Sequence, residues 1–425
     1  MSKSGDMTGS QGSARTGRGT RSAWKRVFGW VAAALALVLV VASLSAYLKF
    51  RSVWDSIHRV TVTGLGPQPP KFTSAMNILL IGSDSRAGAN RKFGAQVTGQ
   101  RSDTIIILHI APADHGVIVL SIPRDSVVPV LSCPAQAGSP GQTAQPGQVE
   151  QINSTFAYGG PGCLWKTIEQ TTHLHLDHFI ELNFTGFEKV IDDVGGVSIC
   201  LPFPVNDPLS KLHLSRGRHH VYGAEALAFW RARYIGEGSD LQRIRRDQYL
   251  MASILQGVEH SDLTSNPARI LSVITDAAKS MTTDAGLSLS TMITIVDSLR
   301  SLRPGAVQFV ELPTVAYPQN PDWVSWPASD AALFSALAHD RSVQPAASEH
   351  RQADRGLAAA VGRGQVRGLT ATRTPAAHPT GRPAAHPTGR PAAQPPNLAR
   401  TYGGITGGTN VCHDSAAFAG PRGGS

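Results

Sequence analysis

One uncharged run limits everything else about this chain. From Trp30 to Leu48 it reads WVAAALALVLVVASLSAYL, and Val27 to Gly29 extend the apolar stretch. A run of about 20 apolar residues crosses the ~30 Å hydrocarbon layer as a helix, because lipid offers backbone amides no partner. Arg15, Arg18, Arg21, Lys25 and Arg26 precede it, with only Asp6 opposing. Basic flanks stay in the cytoplasm, so the rest of the chain is expected on the outer side of the cell membrane. A cleaved signal has a shorter apolar core and an A-x-A site. Here Tyr47, Lys49, Phe50 and Arg51 follow instead, which fits an uncleaved single-pass anchor.

That placement disposes of the charge. A net charge of +9 suits nucleic acid, anionic lipid or a phosphorylated substrate. A domain outside the membrane does not meet the chromosome, so nucleic acid is set aside. The four cysteines, Cys133, Cys163, Cys200 and Cys412, form no C-x-x-C metal or redox spacing. An oxidising compartment permits disulfides. Cys133 and Cys163 bracket a Pro/Gly/Gln-rich excursion that a bridge would close; two free buried thiols are the alternative. Cys200 has no evident partner, and Cys412 is the one left over.

Composition divides the chain further. Residues 1–26 form a basic Gly/Ser/Arg-rich segment expected to be disordered. Residues 27–48 are the anchor and 49–71 a stalk ending in GPQPP. Residues 72–340 alternate apolar strands with helical patterns, as in an α/β domain. Residues 341–425 are rich in Pro, Ala and Gly, with AAHPTGRP twice in tandem, and read as a low-complexity tail.

Within the domain, Asn77–Ile81, Thr104–Ile110 and Val117–Ile122 read as strands. Ala111 to Gly116 has turn composition, so the last two are expected to form an antiparallel hairpin. Further strands fit Phe179–Asn183, Val197–Leu201 and Val307–Leu312. Helices fit Thr185–Val194, Gly223–Arg233, a segment opening at Ser239, Pro267–Lys279, Leu289–Leu302 and Asp330–Ala338.

If the first strand also pairs antiparallel with the second, three strand ends share one sheet edge. They carry Asp84-Ser85-Arg86, Arg101-Ser102-Asp103 and Pro123-Arg124-Asp125. Carboxylates brought together need a cation, and Mg²⁺, a hard ion taking oxygen ligands, suits them better than zinc, for which no His or Cys is at hand. Arginines beside them suit phosphate oxygens. Salt bridges and caps are the plainer reading of any one motif alone. Arg231 and Arg233 end one helix, and Arg243 and Arg246 share a face near the start of the next, where a helix N-terminus favours anions. Arg245 points elsewhere and is expected in solvent. His173, His175 and His178 resemble a metal cluster. No G-x-S-x-G elbow or Walker loop is present.

Taken in order, NILLIGSDSR, RSDTIIILHI, VIVLSIPRDS, INSTFAYGG, LDHFIELNFTGFEKVIDDVGGV, ALAFWRARY and SDLQRIRRDQ resemble the LytR-CpsA-Psr family of cell-wall enzymes over roughly residues 72–340. The cysteines and long Pro-rich segment look like its actinobacterial members. The resemblance implies a three-layer α/β/α fold around a mixed sheet with a groove for a prenyl tail. It implies transfer of a glycopolymer phosphate from a polyprenyl-pyrophosphate carrier to a peptidoglycan hydroxyl. The family's metal-binding aspartates fall on Asp84 and Asp103, for Mg²⁺ or Mn²⁺. Its pyrophosphate-binding arginines fall on Arg86, Arg101, Arg124, Arg231, Arg233, Arg243 and Arg246. Arg124, Arg231 and Arg233 would act in the reaction, and Asp125 or Asp240 would take the acceptor proton. Where the family usually reads R-Q-Q this chain has Arg246-Asp247-Gln248; an Asp247 facing the site would weaken anion binding or add a metal-side acid. Hydrolysis of the same carriers, and a non-catalytic wall-binding or regulatory role, are the rival readings.

Overall fold

The computed structural model describes residues 20–84, 90, 92, 102–111, 116–133, 148–233, 235, 240–260, 267–300, 304–341 and 404–406. The chain divides into two compact units between Ser56 and Ile57.

The first unit is helix α1 (Thr20–Ser56), of which Phe28–Ser56 is long and apolar enough to cross a membrane. It outruns the expected span at both ends. Residues 49–56, expected as stalk, lack Gly and Pro and continue the helix, with Arg51 and Asp55 3.6 Å apart at i,i+4.

The second unit begins in the rest of that stalk, where β1 (His58–Val60) pairs in parallel with β12 (Met281–Asp284). Three strands follow the sequence pattern closely: β2 (Met76–Ser83), β3 (Ser102–Ile110) and β4 (Val117–Ile122), each antiparallel to the next. β5 (Val127–Val130) and β6 (Gln148–Gln151) form a small hairpin. Then come helix α2 (Ile152–Thr172), β7 (His178–Asn183) and α3 (Phe184–Val194). Asn183 Oδ1 caps α3 by accepting from Gly186 N at 3.0 Å, and Gly195 ends it in the left-handed region at φ 94°. β8 (Val197–Leu201) pairs with β11 (Gly217–Val221), and β9 (Val205–Asp207) with β10 (Leu212–Leu214). Helices α4 (Gly223–Arg231), α5 (Asp240–His260), α6 (Pro267–Lys279) and α7 (Leu289–Arg300) precede β13 (Val307–Glu311). The hairpin of β14 (Val315–Tyr317) and β15 (Asn320–Ser325) leads to α8 (Asp330–Ala338), and β16 (Gly404–Thr406) follows.

The main sheet has eight strands in the order β1-β12-β7-β2-β3-β4-β13-β16 and is mixed. Alternation along each strand builds two cores. Leu79, Ile81, Ile105, Ile107 and Leu120 face α2 and α8. Ile78, Ile106, Val119 and Phe309 face the side of α5 and α7. The result is the expected three-layer α/β/α arrangement. A third core joins α3, α4, the two small hairpins β8–β11 and β9–β10, and part of α5.

Two departures from the sequence reading have simple causes. Helix α2 goes unassigned in the pattern because Gly159-Gly160-Pro161-Gly162 interrupts it, and Gly160 is non-helical there at φ 64°. Part of the expected tail is sheet: Gly404–Thr406 pairs antiparallel with β13, and Ile405 packs on two cores. Three residues, Gly-Ile-Thr, suffice to use the open edge of β13.

Cys133 and Cys163 are bonded across 30 residues. A Cβ on Gly159 would lie 2.5 Å from Cys163 Cβ, so only glycine leaves room for the bridge. Cys200 is also disulfide-bonded. Replacing Cys133 and Cys163 by serine removes a loop constraint of about 3.6 kcal/mol for a 30-residue separation. Urea unfolding should therefore show a lower midpoint with the same helical signal in the folded baseline.

Candidate active site

The antiparallel register puts the end of β2, the start of β3 and the end of β4 at one sheet edge, as the sequence predicts. Gly82 pairs with Thr104 and Ser83 with Ser102, so Asp103 is the extra residue of a bulge. A bulge re-aims one side chain out of the strand alternation. Asp84 follows directly on Ser83 at the same edge.

Asp103 is the hub. Its Oδ1 accepts from Arg124 Nη1 at 2.6 Å, and its Oδ2 stands 3.9 Å from Arg243 Nη2. Burial works against its ionisation, but Arg243, Arg124 and Arg233 outweigh that and hold the carboxyl below its usual range. Arg124 also donates from Nε to Asp125 Oδ2 at 3.3 Å, while Gln151 Nε2 donates to Asp125 Oδ1 at 2.8 Å. Asp125 is thus engaged on both oxygens and orients Arg124. Gln151, from β6, is a site residue the sequence reading missed.

Helix α5 brings the second set of arginines. Its Gln248 donates to Ser121 Oγ on β4 at 3.3 Å, which seats the helix over that strand. Arg246 is 2 % exposed and Arg243 8 % exposed. Arg246 Nη2 donates to Ala232 O at 2.9 Å, but among the described residues its Nε and Nη1 have no partner, nor has Arg243 Nε. Burial lowers the Arg246 pKa, with the Asp247 charge opposing. Guanidinium N–H groups held dry and unpaired are costly. They suit an anion that enters from outside.

Asp247 faces the site. It is 8 % exposed and lines, with Asp103, Arg124, Arg243 and Ser121, a cleft of about 10 Å³. That is room for about one water. A second cleft of the same size lies between Asp103, Trp230, Arg231 and Gly82. Arg231 sits over the Phe184 ring at 4.9 Å, and Arg233 is exposed at the rim. Arg245 turns away, as expected, but to an ion pair with Glu311 at 3.1 Å rather than to solvent alone. Arg86 and Arg101 lie outside the described residues, as does the side chain of Asp240.

The loop bearing Arg233 is fixed by Asp207, which is fully buried. Its Oδ2 accepts from Arg233 N at 2.6 Å, and its Oδ1 from Leu209 N and Ser210 N at 2.9 and 3.1 Å. In sequence, Asn206-Asp207-Pro208 signals only a turn; nothing local ties it to a residue 26 positions later. Helix α4, which carries Arg231, is fixed at its start by Gly223. A Cβ there would lie 2.2 Å from the Glu188 carbonyl oxygen. Gly223→Ala should cost about 1–3 kcal/mol by overpacking and shift α4, measurable as a lower urea midpoint together with a raised KM.

The histidines stay outside this site. His175 Nδ1 meets Pro69 O at 3.0 Å and His178 Nδ1 meets Asp284 Oδ2 at 3.0 Å. Among the described residues no group of three or more His, Cys, Asp or Glu is placed to hold a metal.

The LytR_cpsA_psr family model matches residues 50–333. The chain belongs to the LytR-CpsA-Psr family. Among its relatives is the probable cell wall biosynthesis protein LcpB of Corynebacterium glutamicum, 34 % identical over 220 residues, which are 50 % of this chain and 49 % of that protein. The chain therefore matches about half the length of that relative. The polyisoprenyl-teichoic acid–peptidoglycan teichoic acid transferase TagU of Bacillus cereus is 28 % identical over 254 residues, 57 % of this chain and 74 % of that one. The LytR-Csp2A-Psr enzyme from Actinomyces oris shares the fold at TM-score 0.51 and 22 % identity, over 66 % of this chain and 96 % of the other. The edge motifs of this LytR-CpsA-Psr domain, and α4 and α5 with their arginines, all fall inside the matched range.

Proposed function

We propose that this LytR-CpsA-Psr protein is a membrane-anchored phosphotransferase that moves a glycopolymer from a polyprenyl-pyrophosphate carrier to peptidoglycan through a phosphodiester bond. Its α1 would anchor it once in the cell membrane, with the N-terminus in the cytoplasm and the catalytic domain outside. The observation that carries this reading is the set of buried N–H groups on Arg243 and Arg246, unpartnered among the described residues, beside the Asp103–Arg124 pair. They await a polyanion, and a pyrophosphate offers oxygens on two phosphorus atoms. The transferase name of the Bacillus relative agrees.

The donor set also fits a hard cation. Asp84 and Asp103 supply carboxylate oxygens, Asp103 is held ionised, and its Oδ2 is too far from Arg243 for a hydrogen bond. Asp84 and Asp103 would hold Mg²⁺ or Mn²⁺, which when bound neutralises charge on the phosphate oxygens. Asp247, in the same cleft as Asp103, adds negative charge on that side.

Phosphoryl transfer asks the protein for placement and charge neutralisation more than for covalent help. The acceptor hydroxyl oxygen bonds to the phosphorus bearing the glycopolymer. The bond from that phosphorus to the bridging oxygen breaks, and polyprenyl phosphate leaves with the electron pair. The hydroxyl proton passes to solvent or to the departing phosphate. Arg243 and Arg246 bind the pyrophosphate, Arg124 is aimed by Asp103 and Asp125, and Arg231 and Arg233 approach from α4 and the loop after it. Preorganised donors of this kind act where charge develops.

The full chain in detergent, given lipid-linked donor and peptidoglycan fragments, tests the reading. Polymer–peptidoglycan conjugate is the expected product. Free polymer phosphate without conjugate would make the protein a hydrolase, and no consumption of donor would remove the enzyme reading.

A further inference from the structure

The two small hairpins carry a face that the arginine site does not use. β8–β11 and β9–β10 lay Val197, Ile199, Leu201, Val205, Leu212 and Val221 on one core, so their other sides point away from it. Arg218, His220 and Tyr222 alternate outward along β11 and the residue after it, and His213 points outward from β10. The turn before β10 adds Leu209 and Lys211, and Arg216 stands between β10 and β11.

The charge on this face is unopposed. From Pro208 to Tyr222 the chain holds Lys211, Arg216 and Arg218 and no acidic residue. All three cations are exposed, and none has an ion pair among the described residues. The acid before the stretch, Asp207, is fully buried and taken up by backbone amides. The next acid after it is Glu225, in the first turn of α4.

Cations alone would make a solvated face, but two apolar side chains stand among them. Leu209 is 65 % exposed, the most of any large apolar side chain described in this unit. Tyr222 is 55 % exposed and braced there by His220, whose Nε2 meets Gly195 O at 2.8 Å and whose ring meets the tyrosine edge-on at 5.2 Å. A soluble polyanion would serve the cations and leave Leu209 and Tyr222 in water. An apolar protein face would cover those two and bury the cations unpaired. A layer of anionic headgroups over hydrocarbon serves both sets. Lipid phosphates meet the cations, the tyrosine sits at headgroup level and the leucine enters the acyl boundary.

One carboxylate joins this face to the arginine site. Asp207 Oδ1 accepts from Leu209 N and Ser210 N, and its Oδ2 accepts from Arg233 N. The turn bearing Leu209 and Lys211 and the loop bearing Arg233 thus share one anchor. We propose that the outer face of these hairpins docks on an anionic lipid surface and so holds the arginine site close to the headgroup layer. Delivery of a lipid-linked donor by this route rests on the function proposed above; the docking itself does not.

Hydrogen–deuterium exchange on the full chain in lipid nanodiscs is the test. Helix α1 is present in every sample, so only lipid charge and the hairpin face vary. Residues 208–222 should exchange about tenfold more slowly in phosphatidylglycerol discs than in phosphatidylcholine discs. Salt at about 0.5 M, where the screening length is roughly 4 Å, should erase the difference. Each cation near an anionic surface is worth about fivefold, so the triple variant Lys211→Ser, Arg216→Ser, Arg218→Ser should weaken docking on the order of 100-fold. Leu209→Ser should weaken it about tenfold. These side chains are exposed, so melting temperature and binding of inorganic pyrophosphate should not change. Equal exchange in the two kinds of disc overturns the proposal, as does a difference that the triple variant retains. Protection by soluble polyphosphate in neutral discs, with none from phosphatidylglycerol, would make the face a polymer site and overturns it too. Docking without transfer would keep this inference and remove the enzyme reading; transfer without docking would do the reverse.

Discussion

Arg246→Met should lower turnover about 100–1,000-fold, some 2.7–4 kcal/mol of transition-state stabilisation, without loss of thermal stability. The two halves of this expectation come from one fact. Arg246 is 2 % exposed, yet two of its guanidinium nitrogens have no partner among the described residues. In the free protein that charge is desolvated, with only the Ala232 carbonyl as acceptor and the Asp247 and Asp207 charges in partial compensation, and an apolar side chain of similar length is tolerated or favoured in such a place. With pyrophosphate bound, the same nitrogens acquire acceptors. A steady-state assay paired with a melting curve therefore separates the two roles. Retained turnover would remove Arg246 from the site. A melting temperature lower by many degrees would make it structural.

Asp103→Asn should be as damaging to turnover, yet inorganic pyrophosphate should bind the variant without added metal at least as tightly as it binds the wild type. The substitution removes the negative charge that faces Arg124 at 2.6 Å and Arg243 at 3.9 Å, so those cations become more available to an anion. What disappears is the carboxylate proposed to hold a hard cation. Titration calorimetry with and without Mg²⁺ reads both effects. The stability change has a defined pH sign. The Asp103 carboxyl is depressed in the fold, so its contribution is present above the ordinary carboxylate value of 3.8 and fades as pH falls through the lower folded value. Wild type and variant should differ most near neutrality and converge in strong acid.

Much of this site is visible in the sequence because its parts are strand ends. A buried strand is a short apolar run, and a charged residue at its boundary must lie at a sheet edge. Three such boundaries, linked by one recognisable turn, place Asp84, Asp103 and Arg124 together before any coordinate is known. Arg243 and Arg246 follow from helical spacing. What escapes has no local signature. Asp207 looks like a turn former, because its link to the Arg233 amide is made only by tertiary folding. Gln151 lies on a two-stranded hairpin too short to show a pattern. β1 and β16 are three-residue strands that borrow their order from the edges they join. Helix α2 carries a glycine-proline break in its middle, which mimics a loop.

The central claim is that the phosphorus next to the glycopolymer travels with it. Lipid-linked donor labelled at that phosphorus, incubated with the full chain and peptidoglycan fragments, tests this most directly. The account predicts label in the peptidoglycan conjugate, in a phosphodiester that resists phosphatase. Label in released polymer phosphate or left on the lipid, with unlabelled peptidoglycan, would contradict it.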